Sequence, residues 1–233
     1  MKKRIKVLFI LALLSGVLCF GAVGALTAAD KAAADDILGV YKNIETASAA
    51  TTPPGYTVTV ENKRFAEALK ELPKDVLTGK GEPAVSINFK KGVGVKIVIK
   101  NVKSEYASLF SMYEDYVRFS GISKVQNPAE FKDMIDKNKI ELQGEEKDFV
   151  VAKAWDPTKE QKDDSYALFY LDKTNWVIKK AVYFLDGVPY VEAANSYKNI
   201  GKWYVPYKIE LKYKAENTSD VFLFKDYKFQ ESQ

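Results

Sequence analysis

Carboxylates must carry whatever proton chemistry this chain performs, because its 233 residues include no histidine and a single cysteine. Without imidazole there is no Ser-His-Asp or Cys-His nucleophile pair, no imidazole general base and no histidine-bearing zinc site. Three adjacent acid pairs stand out: Glu114-Asp115, Glu145-Glu146 and Asp163-Asp164. The second and third have the residue types of a glycosidase acid and base, which must face each other across a cleft. Both lie in highly charged, turn-like stretches, 144–148 and 156–165, where solvated loop charge is the ordinary explanation. Glu114-Asp115 reads as the wet face of a helix. The acidic clusters lack calcium-loop spacing, and Gly79-Lys-Gly and Gly92-Val-Gly lack the spacing of phosphate-binding loops. Neither a metal nor a cofactor is expected, and the chain does not read as an enzyme.

The charge pattern is equally restrictive. Lys and Arg total 35 against 31 Asp and Glu, and the four surplus cations are Lys2, Lys3, Arg4 and Lys6, ahead of any acid. The rest of the chain is formally neutral and holds two arginines, Arg64 and Arg118. A nucleic-acid surface needs clustered cations and arginine forks, so no nucleic-acid partner is expected.

The basic tip runs into an apolar stretch from Val7 to Leu26, with small residues near its end. That is the layout of a secretory signal, and Val23 and Ala25 suit a cut after Ala25, or as late as residue 29. Twenty apolar residues also have the length of an uncleaved anchor; the glycines near the end favour cleavage. Val17 and Leu18 before Cys19 are poorly matched to a lipoprotein signal. The expected organisation is a signal peptide over 1–25 and one domain over 26–233, free of cysteine and held by an apolar core.

Several elements follow from periodicity. Ala34, Ile37, Leu38, Tyr41 and Ile44 form the stripe of an amphipathic helix over 30–48, stopped by Pro53-Pro54-Gly55. Tyr56 to Val60 alternates as a strand, and Phe65, Leu69 and Leu72 mark a short helix before Pro73. Residues 84–90 and 93–100 flank Lys91-Gly92 as a hairpin. Tyr106, Leu109, Phe110, Tyr113 and Val117 share one helix face between Ser104 and Gly121. Asn127-Pro128-Ala129-Glu130 predicts an N-cap with a glutamate reaching back, ahead of Phe131, Met134 and Ile135.

Beyond Ile140 the chain reads as strand and turn, with strands expected at 149–155, 166–171, 176–185, 188–198, 203–214 and 221–229. The links between them are short, which makes successive strands antiparallel neighbours. In 203–213 the odd positions Trp203, Val205, Tyr207, Ile209, Leu211 and Tyr213 are all apolar or aromatic, which predicts one buried or ligand-facing side of a sheet. Pro206 fits an edge or a bulge. Strands apolar on both faces, such as 166–171, predict a sheet partly covered on both sides by helices.

The run from Ala167 to Gly187, with Asp186-Gly187 at its turn, and then Tyr197-Lys198, Gly201 and Val205-Pro206, resembles the LolA/LolB-like superfamily of bacterial envelope proteins. The resemblance covers roughly residues 149–229; Asn62 to Asn138 departs from the family pattern. It implies an α+β fold, a half-open antiparallel β-barrel covered by a few helices, whose apolar cavity takes lipid or the acyl chains of a lipoprotein. Ligand-lining residues would be Trp176, Ile178, Tyr183 and the odd positions of 203–213, with Leu109 and Tyr113 on a helical lid. The partner would be a lipid or an acylated protein, met by a periplasmic monomer in transient contact with a membrane. The alternative is an envelope sensor or scaffold that binds a protein through the aromatic sheet face. A carboxylate hydrolase is the third reading.

Overall fold

The computed structural model describes residues 28–71, 74–78, 81–106, 111–158 and 165–230; the expected signal peptide, Leu72, Leu109, Phe110 and Asp163-Asp164 lie outside the described residues. The first helix, α1 (Ala28–Thr51), buries Ile37, Val40, Ile44 and Ser48 at spacings of three and four. Thr51 Oγ1 bonds back to the Ala47 carbonyl at 2.8 Å, and the prolines that follow cannot continue the ladder. Strand β1 (Gly55–Asn62) ends on an asparagine that starts the next helix, α2 (Lys63–Glu71). Asn62 Oδ1 accepts the Phe65 amide at 2.9 Å, an N-cap, while its amide donates to the Val221 carbonyl and ties α2 to the sheet. The expected hairpin forms as β2 (Ala84–Lys90) and β3 (Gly94–Lys100) around a turn at 91–93.

Three helices follow: α3 (Ser111–Ser120), α4 (Ile122–Gln126) and α5 (Pro128–Lys137). Gly121 ends α3 in the left-handed region, φ 68°, and α4 starts at once, an element absent from the sequence reading. Asn127 does not cap α5 through its side chain; its amide donates to Glu130 Oε1 at 3.1 Å. Seven strands complete the chain: β4 (Lys139–Glu146), β5 (Phe149–Trp155), β6 (Tyr166–Asp172), β7 (Ile178–Leu185), β8 (Val188–Ile200), β9 (Trp203–Tyr213) and β10 (Thr218–Phe229).

All ten strands form one antiparallel sheet in the order β3-β2-β1-β10-β9-β8-β7-β6-β5-β4. The C-terminal strands are the expected meander, and β1 joins its end by pairing with β10. The sheet does not close, so β3 and β4 are edges and the fold is an α+β half-barrel. Its concave face is a continuous row in register: Ala152, Phe169, Ala181, Ala193 and Leu211 from β5 to β9, then Ile209 beside Phe222. Each described helix contributes buried residues to the one core against that face. Helices on both sides were expected; α1 to α5 all pack into the core on the concave side. Among the described residues no helix is long and apolar enough to cross a membrane.

Candidate functional site

The concave face and the α3–α5 cover define the site. From α3, Tyr113 meets Phe222 edge-on at 5.5 Å and Phe65 at 5.7 Å, and Tyr116 packs on Phe222 and Phe224, both at 5.6 Å. Phe119 lies edge-on to Tyr183 at 5.0 Å. Ile122 and Val125 of α4 and Phe131 and Met134 of α5 extend the contact. Aromatic edge-to-face pairs of this kind bury large area with few rotatable bonds.

A sparse set of polar contacts pins this cover to the sheet. Asn195 on β8 donates to the Ser120 carbonyl at 2.6 Å and the Ile178 carbonyl at 2.8 Å. Tyr56 donates to Gln126 Oε1 at 2.9 Å, and Tyr183 to the Arg118 carbonyl at 3.2 Å. Among the described residues the buried side-chain atoms without a partner are Tyr113 Oη, Gln126 Nε2 and Asn195 Oδ1. All three sit on the seam between helices and sheet.

The seam has a charged end. Asp220 on β10 is 3% exposed and pairs with Arg64 of α2 at 2.7 Å. Asp115 of α3 is half-buried and accepts from the Tyr213 hydroxyl at 3.4 Å. Burial holds its carboxyl above the ordinary value, opposed by Arg118 and the Tyr213 bond. Asp115 is therefore not on the wet helix face, unlike the exposed Glu114. Glu145 pairs with Lys173 at the end of β4. Among the described residues no group of three or more acids could hold a metal.

The structure brings Ile178, Tyr183, Ile209, Leu211 and Tyr213 to the concave face, in one core with Tyr113. Trp176 packs at the margin of that core, in the turn before β7 with φ 52°. Trp203, Val205 and Tyr207 do not join them. A β-bulge in β9 sets Ser196 opposite Lys208 but Tyr197 opposite Pro206, which shifts the alternation by one residue. Tyr204 and Pro206 therefore share the side of Tyr197, Trp203 and Val205 face the other way, and Tyr207 is 40% exposed. Asn195, Gln126 and Tyr116 were missed. A polar asparagine amid the alternating small and apolar residues of β8 was the one available signal for Asn195.

An open antiparallel half-barrel with an apolar concave face and a helical cover is the architecture of LolA-like proteins, and this chain has that fold. The comparison that carries the assignment is with a crystal structure from Vibrio parahaemolyticus, a domain described as that of an outer membrane lipoprotein-sorting protein. Its TM-score is 0.50 at 13% identity, covering 83% of this chain and 93% of that one. A LolA superfamily protein from Nitrosomonas europaea matches with TM-score 0.48 and 11% identity, covering 83% and 94% of the two chains. A DUF1329 family protein from Desulfovibrio piger matches at 0.44 and 12%, covering 83% and 93%. No family profile and no curated protein matches the chain.

Proposed function

We propose that the protein is a non-enzymatic carrier that holds a lipid, or the acyl chains of a lipoprotein, between its concave sheet face and the α3–α5 lid. The observation that carries this reading is an apolar concave face, broken by the buried Asn195 and Asp220, under a separate helical cover. The likeness to a lipoprotein-sorting domain supports it at the level of fold. Burial supplies the affinity: each methylene leaving water contributes about 0.8 kcal/mol, so an acyl chain needs no catalytic group to bind. Ile178, Ile209 and Leu211 are fully covered by the protein's own side chains, so the ligand enters by lifting the lid. The protein acts after export to the periplasm, its leader removed.

Uptake of a fluorescent fatty acid tests this. Saturable binding is expected, abolished by Ile209→Glu with the sheet's circular dichroism retained, and weakened by Leu211→Phe, which fills the same space without charge. Trp203→Glu, on the other side of the bulge, leaves uptake unchanged. Equal effects of Ile209→Glu and Trp203→Glu would refute the assignment of the concave face.

A further inference from the structure

The convex side of β5–β7 has a composition that sheet packing alone does not require. Ala152, Phe169 and Ala181 point into the core, so their neighbours Lys153, Tyr170 and Lys180 point out, joined there by Trp155, Tyr166 and Phe184. The rings cover one another. Tyr166 stacks on Phe184 at 4.4 Å with 13° between planes. Lys153 Nζ sits 4.4 Å from the Tyr166 centroid and 5.5 Å from that of Trp155, and Lys180 Nζ 5.0 Å from that of Tyr170. Both ammonium groups hold rings rather than carboxylates. Glu141, directly across from Lys153, is turned to Gln143, and Glu192 is matched by Lys214 at 2.9 Å. Lys180 also acts on Glu192, and Glu146 and Glu192 act on Tyr170, so among the described residues Lys139, Lys153 and Lys180 face Glu141, Glu146 and a Glu192 already matched by Lys214.

We infer that this convex face is a docking surface for an anionic phospholipid bilayer. Amphipathic rings carrying lysines at their edges match the headgroup boundary, where the ring enters the apolar margin and the ammonium meets phosphate. Charge complementarity favours a bilayer over an acidic protein. The cations are all lysine point charges, whereas Arg64 and Arg118, whose forks suit protein carboxylates, lie on the lid side. This inference stands apart from the concave-face reading, because its residues are on the opposite side of the sheet.

Flotation with vesicles tests it, using the chain from Ala28 onward, which carries every described element of the fold without the apolar leader. Vesicles of phosphatidylcholine with a quarter phosphatidylglycerol should bind the chain, and pure phosphatidylcholine should bind it at least tenfold more weakly. Lys153→Gln with Lys180→Gln should lower partition about 25-fold, at about fivefold per lysine. Lys212→Gln, on the same convex side in β9, should leave it unchanged. Should the double variant fail to fold, brominated lipid provides the second measurement: it should quench the fluorescence of the parent chain, and Trp155→Phe should remove that quenching. Binding to neither vesicle, equal binding to both, an equal loss with Lys212→Gln, or quenching that survives Trp155→Phe overturns the inference.

Discussion

Gly121→Ala should loosen the lid without dissolving the sheet. Gly121 has φ 68°, and a Cβ built there would stand 2.9 Å from Ile178 Cδ1 and 3.6 Å from Phe169 Cε1. The left-handed backbone costs a non-glycine residue about 1 kcal/mol. Forcing a methyl against the fully buried Ile178 adds about 2 kcal/mol of overpacking. The combined penalty of about 3 kcal/mol falls at the junction of α3 and α4, where the cover touches the sheet. At 1.4 kcal/mol per tenfold it shifts the closed–open balance about 100-fold toward open. Amide hydrogen exchange should therefore accelerate in α3–α5 while β6–β9 stay protected, and fatty-acid uptake should quicken. Ile178→Val removes the clashing Cδ1, so in the double variant the penalty should be less than the sum of the two single ones. Exchange that rises equally in sheet and helices, or no relief from Ile178→Val, would overturn the strain assigned to Gly121.

Two further outcomes follow from the buried polar groups. Burial raises the Tyr56, Tyr116, Tyr183 and Tyr197 hydroxyls above their ordinary 10.0. The unfolded chain then ionises first, so stability is whole below about pH 10 and falls by about 1.4 kcal/mol per pH unit for each such tyrosine above it. Tyrosinate absorbance should appear together with loss of the sheet's circular dichroism; ionisation with the dichroism intact would contradict this. Arg64→Met leaves the buried Asp220 carboxylate unpaired and should cost about 2 kcal/mol in urea unfolding, between an exposed and a fully buried pair because Arg64 is itself largely exposed. A change under about 0.5 kcal/mol, the range of an ordinary surface substitution, would contradict that role.

The strands of the meander were legible because alternation and turn chemistry agree there. Asp186 and Gly187 both have positive φ, 52° and 73°, as a two-residue hairpin turn demands. Strand β4 was hidden because it is an edge strand: none of its residues is fully buried, and Gly144 with two glutamates looks like a loop. The short α4 was hidden by Gly121, which read as an end and is in fact a corner between two helices. Half of the 203–213 face was assigned to the wrong side because alternation has no memory of a bulge. Pro206 marked the place, but only the pairing with β8 shows that the register slips by one. The pairing of β1 with β10 spans almost the whole chain and leaves no local trace in the sequence.

Native mass spectrometry of the detergent-free protein, before and after organic extraction, tests the central proposal most directly. One lipid-sized adduct is expected on the parent chain and on Trp203→Glu, lost on extraction and absent from Ile209→Glu. A bare mass throughout that stays bare after incubation with acyl lipid, or an adduct that persists undiminished in Ile209→Glu, would contradict it.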